Sequence, residues 1–196
     1  MRKILFTIML FITATELSAQ IVQLTAGQQR DLEKKAIEKV ETFQKNCQIV
    51  ADTHRTYSEK TCKDGIIDVA LEDFMEDARI EITNFDGSVQ KPKAIRRYLL
   101  NLALLSRNRY REISITWVNC AMSTNFVPDP NRKEWYVGEV KIIQRFSAIT
   151  KEFRKVEDSV ERITKVYAKR HEILANNKWV TYWDVMLGDI AAKTIE

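Results

Sequence analysis

The chain has 196 residues, 45% of them hydrophobic and 30% charged, with a formal net charge of +4. That length suits one domain with a core of its own, and so small a positive excess is no nucleic-acid signature. Five Gly and three Pro exclude collagen-like, linker-like and Pro-rich disordered classes, and two His with three Cys exclude a zinc finger or a three-histidine metal site.

The chain opens on an address. Arg2 and Lys3 give a short basic start, Ile4 to Ala14 is nearly unbroken apolar sequence, and Leu17-Ser18-Ala19 puts a small residue before Gln20. This is the order of a secretory signal, and the run falls short of the roughly 20 apolar residues that span a bilayer. Residues 1–19 are expected to be a signal peptide and residues 20–196 a single exported domain, periplasmic or secreted. No membrane insertion is expected once the signal is removed, and the loss of Arg2, Lys3 and Glu16 takes the net charge from +4 to +3.

After a short arm, Leu32, Ala36, Ile37, Val40, Phe43, Cys47, Val50 and Ala51 recur at steps of three and four, with charged residues between them. This is a long amphipathic helix. The polar stretch from His54 to Lys60 reads as a connector, and a second helix is expected from Cys62 to Glu76. From Ala78 the period becomes two, with Ile80 and Ile82 alternating with Arg79 and Glu81. Asp86-Gly87 is a tight-turn dipeptide, and Val89 returns on a short partner strand. Pro92 suits the first turn of a third helix, which Ile95, Leu99, Leu102 and Leu105 carry to about Ser106.

The rest reads as four long strands: Arg111 to Ser123, Glu134 to Ile149, Val156 to Glu172 and Lys178 to Ile190. A loop at Val127 to Asn131 joins the first two, and Asn176-Asn177, a pair that tolerates positive φ, makes a hairpin turn between the last two. Helices first and a strand meander last give an α+β class: a curved antiparallel sheet wrapped around a long N-terminal helix, with two further helices, in the shape of a cone.

Charge is segregated along the middle of the chain. Asp64 to Asp86 holds eight acids and one base, whereas Lys91 to Arg111 holds seven bases and no acid. The two runs are either solvated helix faces or opposed surfaces that orient a partner. Cys47 and Cys62 are close enough in sequence to bridge neighbouring helices, so a Cys47–Cys62 disulfide competes with each being a small buried hydrophobe. His54 and His171 read as surface residues, and neither a metal nor a cofactor is expected.

The passage Leu71-Glu72-Asp73-Phe74-Met75-Glu76-Asp77-Ala78-Arg79-Ile80-Glu81-Ile82, the turn at Asp86-Gly87, the helix from Lys93 to Leu105 and the closing meander through Trp183-Asp184-Val185-Met186-Leu187-Gly188-Asp189-Ile190 together resemble the nuclear-transport-factor-two-like superfamily. This is the cystatin-like α+β cone of ketosteroid isomerases, scytalone dehydratases and polyketide-cyclase-like proteins, and the ending resembles its exported bacterial members. The resemblance implies a cone cavity and common homodimers. The enzymes of that family place a carboxylate base, or a His–Asp pair, inside the cone, but no motif here carries a catalytic residue over.

The expectation is therefore an exported, non-catalytic binding or interaction module. It would take a small hydrophobic ligand or a protein partner in the cavity or on the outer sheet face. The alternative is a small cofactor-independent isomerase or lyase with a buried carboxylate general base. Candidate ligand-binding residues are Tyr98, Trp117, Tyr136, Gln144, Tyr167 and Asp184. The aromatics read equally as core, Gln144 as a satisfied core amide, and Asp184 as a solvent-facing strand residue. Nucleic acid is not an expected partner.

Overall fold

The computed structural model describes residues 23–52, 60–84 and 88–195. The signal-peptide segment, the connector with His54, and Asp86-Gly87 lie outside the described residues. Three helices, α1 (Ala26–Ala51), α2 (Lys60–Glu72) and α3 (Ile95–Asn108), accompany six strands. These are β1 (Arg79–Ile80), β2 (Lys93–Ala94), β3 (Tyr110–Pro128), β4 (Trp135–Thr150), β5 (Lys155–Ala175) and β6 (Lys178–Thr194). They form one curved, unclosed sheet in the order β2-β1-β6-β5-β4-β3. The last four strands are a continuous antiparallel meander, as the strand pattern implies, while β1 runs parallel to β6.

Helix α1 begins at a reciprocal cap. The Gln28 backbone N–H donates to Thr25 Oγ1 at 3.2 Å, and the Thr25 N–H donates to Gln28 Oε1 at 3.0 Å. Two of the unpaired donors at the helix start are thereby satisfied. Its stripe of Leu32, Ala36, Val40, Phe43, Cys47 and Val50 is buried against the inner sheet face. There it meets Ile115, Val140, Ile142, Val166, Val185 and Leu187 in one core. Each such Leu, Ile or Val contributes on the order of 1.5–3 kcal/mol by leaving water.

Helix α2, helix α3 and strand β3 depart from the sequence expectation at boundaries where the sheet supplies backbone partners. Helix α2 ends at Glu72 rather than Glu76: the Leu187 N–H donates to the Asp73 carbonyl at 2.7 Å and the Met75 N–H donates to the Leu187 carbonyl at 2.8 Å. Helix α3 starts at Ile95, not at Pro92, since Lys93 and Ala94 pair with Ile80 and Arg79 as β2. Strand β3 continues to Pro128, five residues past Ser123. It absorbs irregularities at four register shifts, one beside Asn119, which takes a φ of 56°. The two-residue turn holds, with Asn176 and Asn177 at φ 50° and 58° between the paired Ala175 and Lys178.

The β5–β6 hairpin overhangs the sheet. Pairing between β4 and β5 starts at Trp135 and Lys169, so among the described residues the ribbon from His171 to Tyr182 pairs only with itself. It carries Ile173, Leu174, Trp179, Val180 and Tyr182 in exposed positions, Trp179 being 72% exposed.

On the outer sheet face the Tyr167 ring lies edge-on to Trp135 at 6.4 Å and under the Arg132 guanidinium at 5.0 Å. Gly188 makes this possible, since a Cβ there would stand 2.5 Å from Tyr167 Cε2. Replacing Gly188 with Ala must displace the ring, and the expected loss is about 1–3 kcal/mol, as for other overpacked sites. Urea unfolding of Gly188→Ala, Tyr167→Ala and the double variant checks this. The second substitution should cost less in the Gly188→Ala background than in the wild type, because the clash has gone.

Candidate functional site

The cone interior holds four buried polar side chains among the described residues: Gln44, Gln144, Arg162 and Thr164. Three of them form a chain of hydrogen bonds. Gln144 Nε2 donates to Gln44 Oε1 at 2.6 Å, and Arg162 Nε donates to Gln144 Oε1 at 3.0 Å. Arg162 Nη1 donates to the Glu81 carbonyl at 2.6 Å. Arg162 is 5% exposed and takes part in no ion pair with the described residues, so backbone and amide oxygens alone meet its charge.

The Tyr98 hydroxyl faces this group, near enough to Cys47 and Gln144 for both to act on it. Burial pushes the Cys47 thiol up to about 12 from the ordinary 9.0, against the opposing pull of the Arg162 charge. Burial likewise raises the Tyr98 phenol. Both groups are therefore neutral near pH 7, and a thiol in that state is a poor nucleophile. Cys120, half-buried, is pushed up to about 11 by desolvation and then by Glu41. Among the described residues no cluster of His, Cys, Asp or Glu is arranged to hold a metal.

Tyr98 also belongs to a second feature. One side of α3 and the segment around β1 and β2 enclose a groove of about 500 Å³, a volume within the range of small-molecule sites. Tyr98, Asn101, Leu102, Leu105, Asn108 and Arg109 line it from α3, at helical spacing along one stripe. Ile82, Gln90 and Lys93 face them, and Leu104 closes the rim. Leu104 and Leu105 remain 50% and 37% exposed, so the groove presents apolar surface to water.

The six sequence candidates separate by strand parity. Gln144, Trp117 and Tyr136 are on the inner face: Gln144 in the hydrogen-bonded chain, Trp117 opposite it in the β3–β4 register, and Tyr136 buried edge-on to Trp183 at 5.3 Å. Tyr98 joins Gln144 from α3. Tyr167 and Asp184 do not join them. Tyr167 sits on the outer face with Trp135, and Asp184 is exposed in register with Lys169, because odd positions of β5 and even positions of β6 point outward there. His171 stacks on Tyr182 at 4.7 Å.

Of the Cys47–Cys62 pair that the spacing permits to bridge, Cys47 is a free thiol packed inside the cone, and the Cys62 side chain lies outside the described residues.

Gln44 and Arg162 were not picked out from sequence, although each breaks a pattern. Gln44 lies on the buried side of α1 beside Phe43 and Cys47, and Arg162 falls on the inward alternation of Val160, Thr164 and Val166. A polar residue in phase with the apolar set is the signal that would have found both.

No protein-family model matches the chain, and no curated protein matches it. Among solved structures it is similar to a "putative aromatic ring hydroxylase" from Novosphingobium aromaticivorans, at 12% identity and a TM-score of 0.45, covering 83% of this chain and 91% of that one. It is also similar to an NTF2-like protein of unknown function from Exiguobacterium sp. 255-15, at 9% identity and a TM-score of 0.41, covering 81% and 98%. The chain's own element order and sheet topology are those of an α+β fold, three helices against one curved, unclosed six-strand sheet, as the sequence leads one to expect, and no activity passes to it from either neighbour.

The raised Cys47 and Tyr98 groups give stability a definite pH dependence. A thiol that ionises near 9.0 when unfolded and only near 12 when folded favours the native state fully below pH 9, and that contribution is lost as pH rises toward 12. The limiting slope is about 1.4 kcal/mol per pH unit for each group. Urea midpoints of wild type and Cys47→Ala should therefore fall in parallel below about pH 8.5, with the wild type falling more steeply between about pH 9 and 11. Equal slopes across that window would mean that the thiol is not held neutral.

Proposed function

We propose that the chain is a non-catalytic binding module that holds a small hydrophobic ligand in the groove along α3. The observation that carries this reading is the groove itself, concave, preformed and lined by leucines left partly in water. The chemistry of the interior favours binding over the alternative of an isomerase or lyase. Proton abstraction next to a carbonyl needs a base whose pKa is tuned by an apolar site. The buried polar side chains among the described residues are two amides, a threonine hydroxyl and a guanidinium, none of which is a base near neutrality. The module acts after export, a reading that rests on the sequence of residues 2–19 alone.

The test uses the neutral fluorophore Nile red with wild type and Leu105→Glu. Leu105 is exposed enough for the variant to fold with an unchanged melting temperature, while a carboxylate in the apolar wall should weaken binding at least about tenfold. Unaltered affinity would place the ligand elsewhere.

A second reading, association with a second copy, is favoured by the overhanging β5–β6 ribbon. Beyond its last β4 partner, β5 has an unpaired edge next to Ile173 and Leu174, and an edge strand pairs antiparallel with its own copy across a two-fold axis. Light scattering at micromolar concentration should then give a dimer mass that Ile173→Pro returns to that of a monomer. A monomer mass for the wild type, constant as concentration rises, means that the ribbon is solvated surface.

A further inference from the structure

We infer that the ligand of the α3 groove is an amphipathic anion whose carboxylate sits at the Lys93 end. The inference rests on the groove being the binding site. Of the described residues that line it, Lys93 and Arg109 are the charged ones, and both are positive. Neither is ion-paired with a described residue: the Lys93 ammonium donates to Gln90 Oε1 at 3.0 Å, and the Arg109 guanidinium approaches the Tyr110 ring at 5.9 Å. An ammonium has three donors, so Lys93 keeps two for an incoming oxygen. Between the cations the walls are apolar, with Ile82, Leu102 and Leu105 and the ring of Tyr98. The amides of Gln90, Asn101 and Asn108 can hydrogen-bond a headgroup but cannot replace a charge.

Two effects choose the Lys93 end. Tyr98 and Arg109 are 11 residues apart on α3, about 16 Å at 1.5 Å per residue, so the groove lies along the helix axis. The positive end of the helix dipole is at Lys93 and the negative end at Arg109, so the backbone field adds to the charge of Lys93 and opposes that of Arg109. The N-cap residue Ala94 brings no side-chain hydrogen bond, and the first turn holds no acid that would occupy that field. Lys93 is also half-buried while Arg109 is exposed, so solvent and salt screen it less. A ligand with an apolar tail and a carboxylate would lay the tail along the leucines and set its oxygens against Lys93 and Gln90.

Isothermal titration calorimetry with decanoate and decan-1-ol tests this on the wild type and on Lys93→Gln, Arg109→Gln and Leu105→Glu. Decanoate should bind the wild type about tenfold more tightly than the alcohol, the lower end of what a charge-assisted hydrogen bond contributes. Lys93→Gln should remove that advantage and leave the alcohol unchanged, and Arg109→Gln should change either by less than twofold. Alcohol bound as tightly as decanoate, or decanoate indifferent to Lys93→Gln, overturns the anion inference and leaves the groove standing. Failure of both probes to bind the wild type, or binding indifferent to Leu105→Glu, overturns the groove itself.

Discussion

A guanidinium that is 5% exposed, with no carboxylate among the described residues paired to it, is the constraint around which the interior is arranged. Removing that charge from water is costly, and it is tolerated only where fixed dipoles replace the lost hydration. Arg162 on β5 meets Gln144 on β4 and the backbone carbonyl of Glu81, and Gln144 in turn meets Gln44 on α1 and Tyr98 on α3. Four elements far apart in sequence are thereby held at hydrogen-bond distances, which apolar packing of Leu and Val alone does not specify so sharply. The same charge pulls against the burial of Cys47 and Tyr98, yet desolvation wins at both, so the interior is polar but not acid–base active near neutrality.

Strand β6 performs the matching task at the sheet's other side. The Glu81 carboxylate accepts from the Ala192 N–H at 2.9 Å, the Glu81 N–H donates to the Ile190 carbonyl at 2.9 Å, and Asp189 Oδ1 accepts from the Arg79 N–H at 2.9 Å. Residues 73–81 are therefore laid along β6 by backbone partners on both sides of Leu187 and Ile190. That placement puts the Glu81 carbonyl where Arg162 needs it, so the interior chain of hydrogen bonds depends on the edge of the sheet.

These couplings explain what could be read in the sequence. Periods of 3.6 and 2 located α1, α3 and all four long strands, because each buries one continuous face, and the Asn176-Asn177 turn followed from its tolerance of positive φ. The end of α2 and the start of α3 could not be read the same way. Glu72 to Asp77 and Pro92 to Ala94 look helical locally and are diverted by β6 and β1, partners that no local pattern reveals. The inner positions of Gln144, Tyr136 and Trp117 follow from alternation, as do the outward positions of Tyr167 and Asp184. Choosing between the two faces required knowing which parity the core takes. The groove was illegible for another reason. Its α3 side shares only Leu102 and Leu105 with the apolar stripe, and Ile82 and Gln90 lie beside the short pairing at Thr83 and Val89.

Tyr98 joins the two halves of the molecule and decides where a ligand can sit. Leu32, Val40, Phe43, Ile115 and Ile142 belong to the core packed between α1 and the inner sheet face. The groove lies on the flank of α3, where the ring of Tyr98 forms one wall. Its hydroxyl faces Cys47 and Gln144, so a ring that swung out of the groove would leave those polar neighbours. A wall fixed before the ligand arrives spares the ordering cost that a mobile aromatic would add, typically about 0.5–1.5 kcal/mol per immobilised side chain. The buried charge at Arg162, which orders Gln144 and through it Tyr98, thus makes the groove a preformed surface without touching it.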